Sequence, residues 1–324
     1  MNEVTRKMML FSGSSNMALA KSIARTLIVP LGDIQLTSFA NGEIYARYTQ
    51  SVRGCDVFII QSLSNCAAGS VNDELMEMLI MTDAAKRASA RTVTAVITHF
   101  GYSRQDKKSA SREPITAKLV ANMLTVAGVD RVISVDLHQG QIQGFFDIPI
   151  NHLTALPLFA NYFTDKNLRN LCVVSPDVGR AKAAKKLSEL LDADLAIMHK
   201  SRPEHNQAEV SDVIGRVKGK NCIINDDMID TGGTIVASIT KLLEKGAASV
   251  HVCATHGLFS GKAYENLEAS GAEEIVVTDT VPVPRVRQKG KIQVISVAQL
   301  LSTTINNVFY ETSVSELFDP DFQL

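Results

Sequence analysis

Cys222-Ile223-Ile224-Asn225-Asp226-Asp227-Met228-Ile229-Asp230-Thr231-Gly232-Gly233-Thr234 joins an apolar run, a cluster of acids and a glycine turn within thirteen residues. It is a short apolar strand, then three carboxylates, then a loop with two glycines that leads into a helix at Ile235. Backbone N–H groups at Thr231, Gly232, Gly233 and Thr234 can wrap a phosphate at a helix N-terminus, where the helix dipole also favours an anion. Asp226 and Asp227, at the end of the strand, can accept hydrogen bonds from the vicinal hydroxyls of a sugar, with Asp230 beside them. A phosphate at one end and a diol at the other describe a ribose 5-phosphate. An ordinary strand-to-helix turn with Thr or Asp as its cap is the plainer alternative, and two acids and a glycine alone do not displace it.

Working outward, short apolar runs alternate with helical patterns along the whole chain. Met8 to Phe11, Val57 to Gln61, Val93 to Thr98, Val132 to Asp136, Cys172 to Ser175, Leu195 to Met198, Val250 to Ala254 and Glu274 to Thr278 read as buried strands. Asn16 to Leu27, Asn72 to Ala88, Ile115 to Ala127, Gly179 to Leu191 and Thr234 to Lys245 read as helices. This alternation predicts an α/β protein with mainly parallel sheets flanked by helices. Such sheets bind ligands beyond the carboxyl ends of their strands. A chain of 324 residues is comfortable for two domains. The apolar pattern breaks near Asp147-Ile148-Pro149-Ile150, so residues 1–149 and 150–324 are expected to be separate α/β domains. Ser296 to Phe309 has helical spacing and can pack on either.

The bulk properties exclude several classes. A net charge of -1 lacks the basic excess of a nucleic-acid binder, and 45% hydrophobic residues support a proper core. No run of apolar residues is long enough to span a membrane. The N-terminal residues lead into a first strand, without the pattern of a signal peptide. Cys55, Cys66, Cys172, Cys222 and Cys253 are odd in number, form no CxxC pair and sit mostly in strand-like runs. They read as reduced thiols, and the expected location is cytoplasmic. No G-x-x-x-x-G-K-[ST] loop, strand-borne G-x-G-x-x-G or H-E-x-x-H is present.

Further candidates follow the other strands. Asp136-Leu137-His138 offers an imidazole after a buried strand, able to ligate a divalent ion. Asp177, after Ser175-Pro176, is a second metal ligand or merely the N-cap of the next helix. Within His99-Phe100-Gly101-Tyr102-Ser103-Arg104-Gln105-Asp106, Arg104 offers a planar fork for a phosphate or nucleobase and Gln105 a polar edge. Phe39-Ala40-Asn41-Gly42-Glu43 joins an aromatic ring able to stack on a purine to polar groups able to read its edge, though Asn-Gly is equally a plain tight turn. His199-Lys200-Ser201-Arg202-Pro203 places two cations at spacing two after the strand Leu195 to Met198.

The Asp226 to Thr234 stretch resembles the ribose-phosphate motif of the phosphoribosyltransferase superfamily. Together with Ser38 to Glu43, Ile97 to Val120, Asp136 to Pro149, Ser175 to Gly179 and Lys200 to Pro203, in that order along the chain, it resembles the ribose-phosphate pyrophosphokinase family. The resemblance implies two phosphoribosyltransferase-type domains and conversion of ATP and ribose 5-phosphate, with Mg²⁺, to 5-phospho-α-D-ribose 1-diphosphate and AMP. It implies that Phe39, Asn41, Gly42 and Glu43 hold adenine and that Arg104, Gln105 and Asp106 also contact ATP. By the same resemblance His138 and Asp177 are metal-associated, and Asp226, Asp227, Asp230, Thr231, Gly232, Gly233, Thr234 and Arg202 bind ribose 5-phosphate. Lys200 and Arg202 are the catalytic cations, Lys200 on a mobile loop. A homohexamer is implied, with Ser51, Arg53, Ser313 and Ser315 matching a regulatory site for phosphate and ADP.

Three departures from the family pattern stand out. His199 and Ser201 alter the charges around Lys200, Arg180 stands where glycine is frequent, and Asn225 replaces an apolar residue ahead of the acid pair. Two other readings stay open at this point: a phosphoribosyltransferase, which leaves the ATP-like segments unexplained, and a regulatory homologue without catalysis.

Overall fold

The computed structural model describes residues 6–201 and 209–314. The chain divides into two units. Among the described residues, those up to 153, with 280–282 and 296–314, form the first; those of 154–279 with 283–295 form the second.

In the first unit the order is β1 (Met8–Ser12), α1 (Met17–Leu27), β2 (Ile34–Ser38), β3 (Ile44–Tyr48), β4 (Asp56–Gln61), α2 (Val71–Arg87), β5 (Thr92–Ile97), α3 (Thr116–Ala127), β6 (Arg131–Val135) and β7 (Ile150–Leu153). Five strands form a sheet in the order β1-β4-β5-β6-β7, every pair parallel. β4 is buried along its whole length, as expected of a strand covered on both faces. Local chemistry starts and stops the helices. Ser70 and Asp73 form a reciprocal capping box at the start of α2, and Gly128, at φ 106°, ends α3 with a left-handed residue. The strands β2 and β3 make a separate antiparallel hairpin.

The second unit contains α4 (Leu156–Asp165), β8 (Leu171–Ser175), α5 (Ala181–Leu190), β9 (Asp194–Ser201), β10 (Glu209–Ile214), β11 (Asn221–Ile229), α6 (Gly233–Glu244), β12 (Ser249–Gly257), α7 (Ala263–Glu268), β13 (Glu274–Thr278) and β14 (Ile292–Ile295). Its sheet runs β10-β9-β8-β11-β12-β13-β14, parallel except for β9 with β10. The last helix among the described residues, α8 (Ala298–Tyr310), belongs to the first unit, where the Ser302 hydroxyl donates to the Ile23 carbonyl of α1 at 3.4 Å.

Mainly parallel α/β sheets are the fold the sequence predicts. The boundary differs: it falls after Leu153 rather than at 149/150, because Ile150–Leu153 pairs in parallel with β6 and closes the first sheet.

Candidate active site

In the second unit the acid pair is held by sheet pairing. β11 does not end at Ile224, as its apolar run suggests, but continues to Ile229, with Asp226 opposite Ala254 and Met228 opposite His256 of β12. Asp227 is buried and Asp226 half-buried, and the Asp227 N–H donates to Asp226 Oδ1 at 2.9 Å. Burial pushes the Asp226 carboxyl well above the usual carboxylate range, and the adjoining Asp227 charge and hydrogen bond push it further; the Arg180 guanidinium pulls it back.

Beyond β11 the chain turns through Asp230 and Thr231 into α6, which opens at Gly233, two residues earlier than Ile235. Gly232 stands at its N-cap with φ 76°, a conformation that suits glycine. No side chain caps this helix. Its first-turn N–H groups therefore point out unused by the helix itself, which makes a place for an anion. The Asp230 carbonyl accepts from the Ser260 N–H at 2.9 Å and ties the turn to the segment after β12.

Asp177 follows β8 and is the cap that the plainer reading allowed: its Oδ1 accepts from the Arg180 N–H at 3.1 Å. The Ser175 hydroxyl donates to the Asp177 carbonyl at 2.6 Å. Arg180, which the sequence marks only as a departure, lies beside the acid pair, its Nε 4.0 Å from Asp226 Oδ1 and 3.8 Å from Asp227 Oδ1. The available signal was topological. β8 and β11 are neighbours, and loops at the carboxyl ends of adjacent parallel strands converge.

Lys200 lies on β9, which extends past Met198 to Ser201 and pairs Lys200 with Val210 of β10. Antiparallel pairing carries the strand beyond its apolar run, so the backbone at Lys200 is strand rather than loop. Arg202 lies outside the described residues.

In the first unit, Arg104, Gln105 and Asp106 follow β5. Arg104 and Gln105 are exposed, whereas Asp106 is buried and accepts from Gln141 Nε2 at 2.7 Å. Gln141 belongs to the 3₁₀ turn Gly140–Phe145 after His138, so this bond joins the loop after β5 to the loop after β6. Gln105 Oε1 accepts from the Thr116 hydroxyl at 2.5 Å, at the start of α3. Before the half-buried His138, the Leu137 N–H donates to His152 Nε2 at 2.9 Å.

Phe39, Asn41, Gly42 and Glu43 form the turn of the β2–β3 hairpin. The Phe39 N–H donates to the Glu43 carbonyl and the Gly42 N–H to the Phe39 carbonyl, both at 2.8 Å. Asn41 Oδ1 accepts from the Glu43 N–H at 3.2 Å. Phe39 is 58% exposed, and its ring makes a T-shaped contact with Tyr45 at 5.9 Å between centroids. These contacts are internal to the hairpin, whereas those of Gln105 and Asp106 run to α3 and to the loop after β6.

Of the regulatory set, the Ser51 hydroxyl accepts from the Arg53 N–H at 3.4 Å, and the Ser313 carbonyl accepts from Asn307 Nδ2 at 2.8 Å. Among the described residues no hydrogen bond links Ser51 or Arg53 to Ser313, and Ser315 lies outside them.

Residues 8–128 match the model of the N-terminal domain of ribose phosphate pyrophosphokinase, and 205–319 that of the phosphoribosyl synthetase-associated domain. A ribose-phosphate pyrophosphokinase of Fusobacterium nucleatum is 49% identical over 96% of this chain and 98% of its own. That of Bacillus caldolyticus is 48% identical over 98% of this chain and 100% of its own. The crystal structure of phosphoribosylpyrophosphate synthetase from Mycobacterium smegmatis superposes with a TM-score of 0.87 at 44% identity, over 94% of this chain and 99% of that one.

Proposed function

This chain belongs to the ribose-phosphate pyrophosphokinase family, and we propose that it is an enzyme transferring the β,γ-diphosphoryl group of ATP to the C1 hydroxyl of ribose 5-phosphate. The C1 oxygen forms a bond to the β-phosphorus and the bond from that phosphorus to the bridging oxygen of the α-phosphate breaks. AMP leaves with the bridging oxygen, and the hydroxyl proton is released. The products are 5-phospho-α-D-ribose 1-diphosphate and AMP, a supply for nucleotide biosynthesis. The observation that carries this reading is the acid pair on β11 running directly into the uncapped N-terminus of α6. Acceptors for a diol and donors for a phosphate lie at the two ends of one short segment.

Asp226 and Asp227 are assigned the ribose hydroxyls, and the turn from Asp230 to Thr234 the 5-phosphate, with Arg202 as a further contact. The first unit is assigned ATP: Phe39 stacks on the base, Asn41, Gly42 and Glu43 read its polar edge, and Arg104, Gln105 and Asp106 meet the nucleotide. In-line positioning and neutralisation of charge do most of the catalytic work in such transfers, and no protein nucleophile is required. Lys200 and Arg202 stabilise the charge that develops around the transferred group.

Magnesium takes oxygen ligands, keeps several waters and usually binds through one or two carboxylates together with substrate phosphates. The Asp177 carboxylate fits that donor chemistry. The imidazole of His138, a nitrogen donor, fits better as a hydrogen-bond partner of a phosphate or of a metal-bound water. When bound, Mg²⁺ supplies Lewis-acid neutralisation of the ATP phosphates. A cytoplasmic homo-oligomer, a hexamer as in the family pattern, completes the proposal, with Ser51, Arg53, Ser313 and Ser315 as its regulatory contacts.

The test is to mix protein, ATP, Mg²⁺ and ribose 5-phosphate and measure AMP. AMP that forms only when the sugar phosphate is present is expected. No AMP, or the same amount without the sugar, contradicts the proposal.

A further inference from the structure

Asp226 and Asp227 are adjacent carboxyls in an enclosed setting, their side chains 17% and 2% exposed. Two such groups repel when both are charged, and one of them tends to keep its proton. The group set against that tendency is Arg180, itself 13% exposed. Its Nε is buried without a hydrogen-bond partner. It therefore acts on both carboxylates through charge at 3.8–4.0 Å rather than by bridging either one. The side chain is placed by its own backbone, whose N–H is held by Asp177.

The buried faces of α5 and α6 turned to the sheet carry alanine, leucine, isoleucine and serine and no charge. Across the strand, β12 sets Ala254 opposite Asp226, flanked in register by Cys253 opposite Asn225 and His256 opposite Met228.

We propose that Arg180 is a positioning residue of the sugar site, whose guanidinium holds both carboxylates of the acid pair ionised so that they can accept the hydrogens of the ribose diol. This inference rests on the sugar-site reading above. It concerns a departure of this chain, since glycine is frequent at this position in the family pattern.

The experiment is calorimetric titration of the protein with ribose 5-phosphate from pH 5.5 to 9, for the native chain, Arg180→Gln and Arg180→Lys, with melting curves confirming that each variant is folded. The sugar phosphate titrates in this range as well, but identically for all three proteins, so the difference between curves isolates the protein. In Arg180→Gln the acid limb of binding is expected to move up by about one pH unit, equivalent to about tenfold weaker binding on that limb. Binding recovers at alkaline pH, where the pair ionises unaided. Arg180→Lys, which keeps the charge, is expected to retain a limb close to the native one. In an Asp226→Asn background the Arg180→Gln change should alter binding less than about twofold, because the repulsion it offsets is gone.

Identical acid limbs in the native protein and Arg180→Gln overturn the inference. So does a loss that is equal at every pH, which marks Arg180 as a plain contact to the phosphate, and so does a limb in Arg180→Lys displaced as far as in Arg180→Gln. If the native protein fails to bind ribose 5-phosphate at any pH, the sugar-site reading itself has failed, and this inference with it.

Discussion

Replacing Asn225 by valine is expected to stabilise the protein. Asn225 is 1% exposed, in the middle of β11 and paired with Cys253 of β12. Its Nδ2 reaches only Cys253 Sγ, at 3.4 Å, and its Oδ1 has no hydrogen-bond partner. Turning the amide over does not help, because a single sulfur can serve one end at a time. A buried polar group left unsatisfied costs about 1–3 kcal/mol, and the contact to sulfur returns little. Valine fills a similar volume, suits a strand buried on both faces and brings no polar atom. The net gain is about 1–2 kcal/mol, or roughly 2–8 °C in the melting temperature of a unit this size. Thermal melting, with urea unfolding as a second measure, checks it. The neighbouring Asp226 points to the opposite face of the strand, and Asp227, on the same face, stands two residues further along, so KM for ribose 5-phosphate is expected to stay within about twofold. An unchanged or lowered melting temperature would instead show that the Asn225 amide is satisfied in solution. Asn225→Asp should instead destabilise strongly, by placing a third carboxyl beside two that already repel.

Asp226→Asn should weaken ribose 5-phosphate binding at least about tenfold while leaving ATP binding nearly unchanged, and equal losses for both would show that the sugar site is misassigned. Lys200→Ala is expected to cut turnover by about a hundredfold or more without shifting the melting curve, and normal turnover removes Lys200 from the mechanism. Burial pushes Glu274 up, but hydrogen bonds from His251, Lys166 and Tyr162 bring it down to about 2. Its folded value lies below the ordinary carboxylate value, so its contribution of about 2–3 kcal/mol is present above pH 4.5 and lost as pH falls toward 2; Glu274→Gln should flatten that acid slope in urea titrations. Burial, aided by the charge of Glu77, pushes Glu74 up to about 7 against hydrogen bonds from Cys66 and Ser14. Here the sign reverses: stability falls as pH rises from about 4.5 to 7, and Glu74→Gln should stabilise at pH 8 by about 2–3 kcal/mol while doing little at pH 4.

The parallel cores were legible because strands covered on both faces must be apolar along most of their length, as Val57 to Ile60 and Cys172 to Val174 are. The strands that escaped lack that mark. β2 and β3 alternate half-buried with exposed residues, and β10 pairs antiparallel at the sheet edge. β11 was cut short at Ile224 because three polar residues follow it; its register with β12, a long-range property, keeps Asn225, Asp226 and Asp227 in the strand. The domain boundary moved for the same kind of reason, since only pairing with β6 assigns Ile150–Leu153 to the first sheet.

Within the candidate site, the phosphate turn could be read locally, because glycines and a helix start are sequence-local signals. The link between the loops after β5 and β6, made by Asp106 and Gln141, joins residues 35 positions apart and left no such signal. The same holds for Arg180. Its distance from the acid pair is set by the adjacency of β8 and β11, and nothing within a few residues of it announces a partner so far along the chain.

In the proposed reaction the diphosphoryl unit passes intact from ATP to C1 of the sugar phosphate. Incubation with ATP labelled in its γ-phosphate, followed by separation of the products and ³¹P spectroscopy of the sugar, tests it directly. Intact transfer puts the label in a sugar 1-diphosphate, with unlabelled AMP formed in equal amount. Label in a sugar monophosphate ester with ADP as co-product, or as free phosphate with the sugar unchanged, would contradict it.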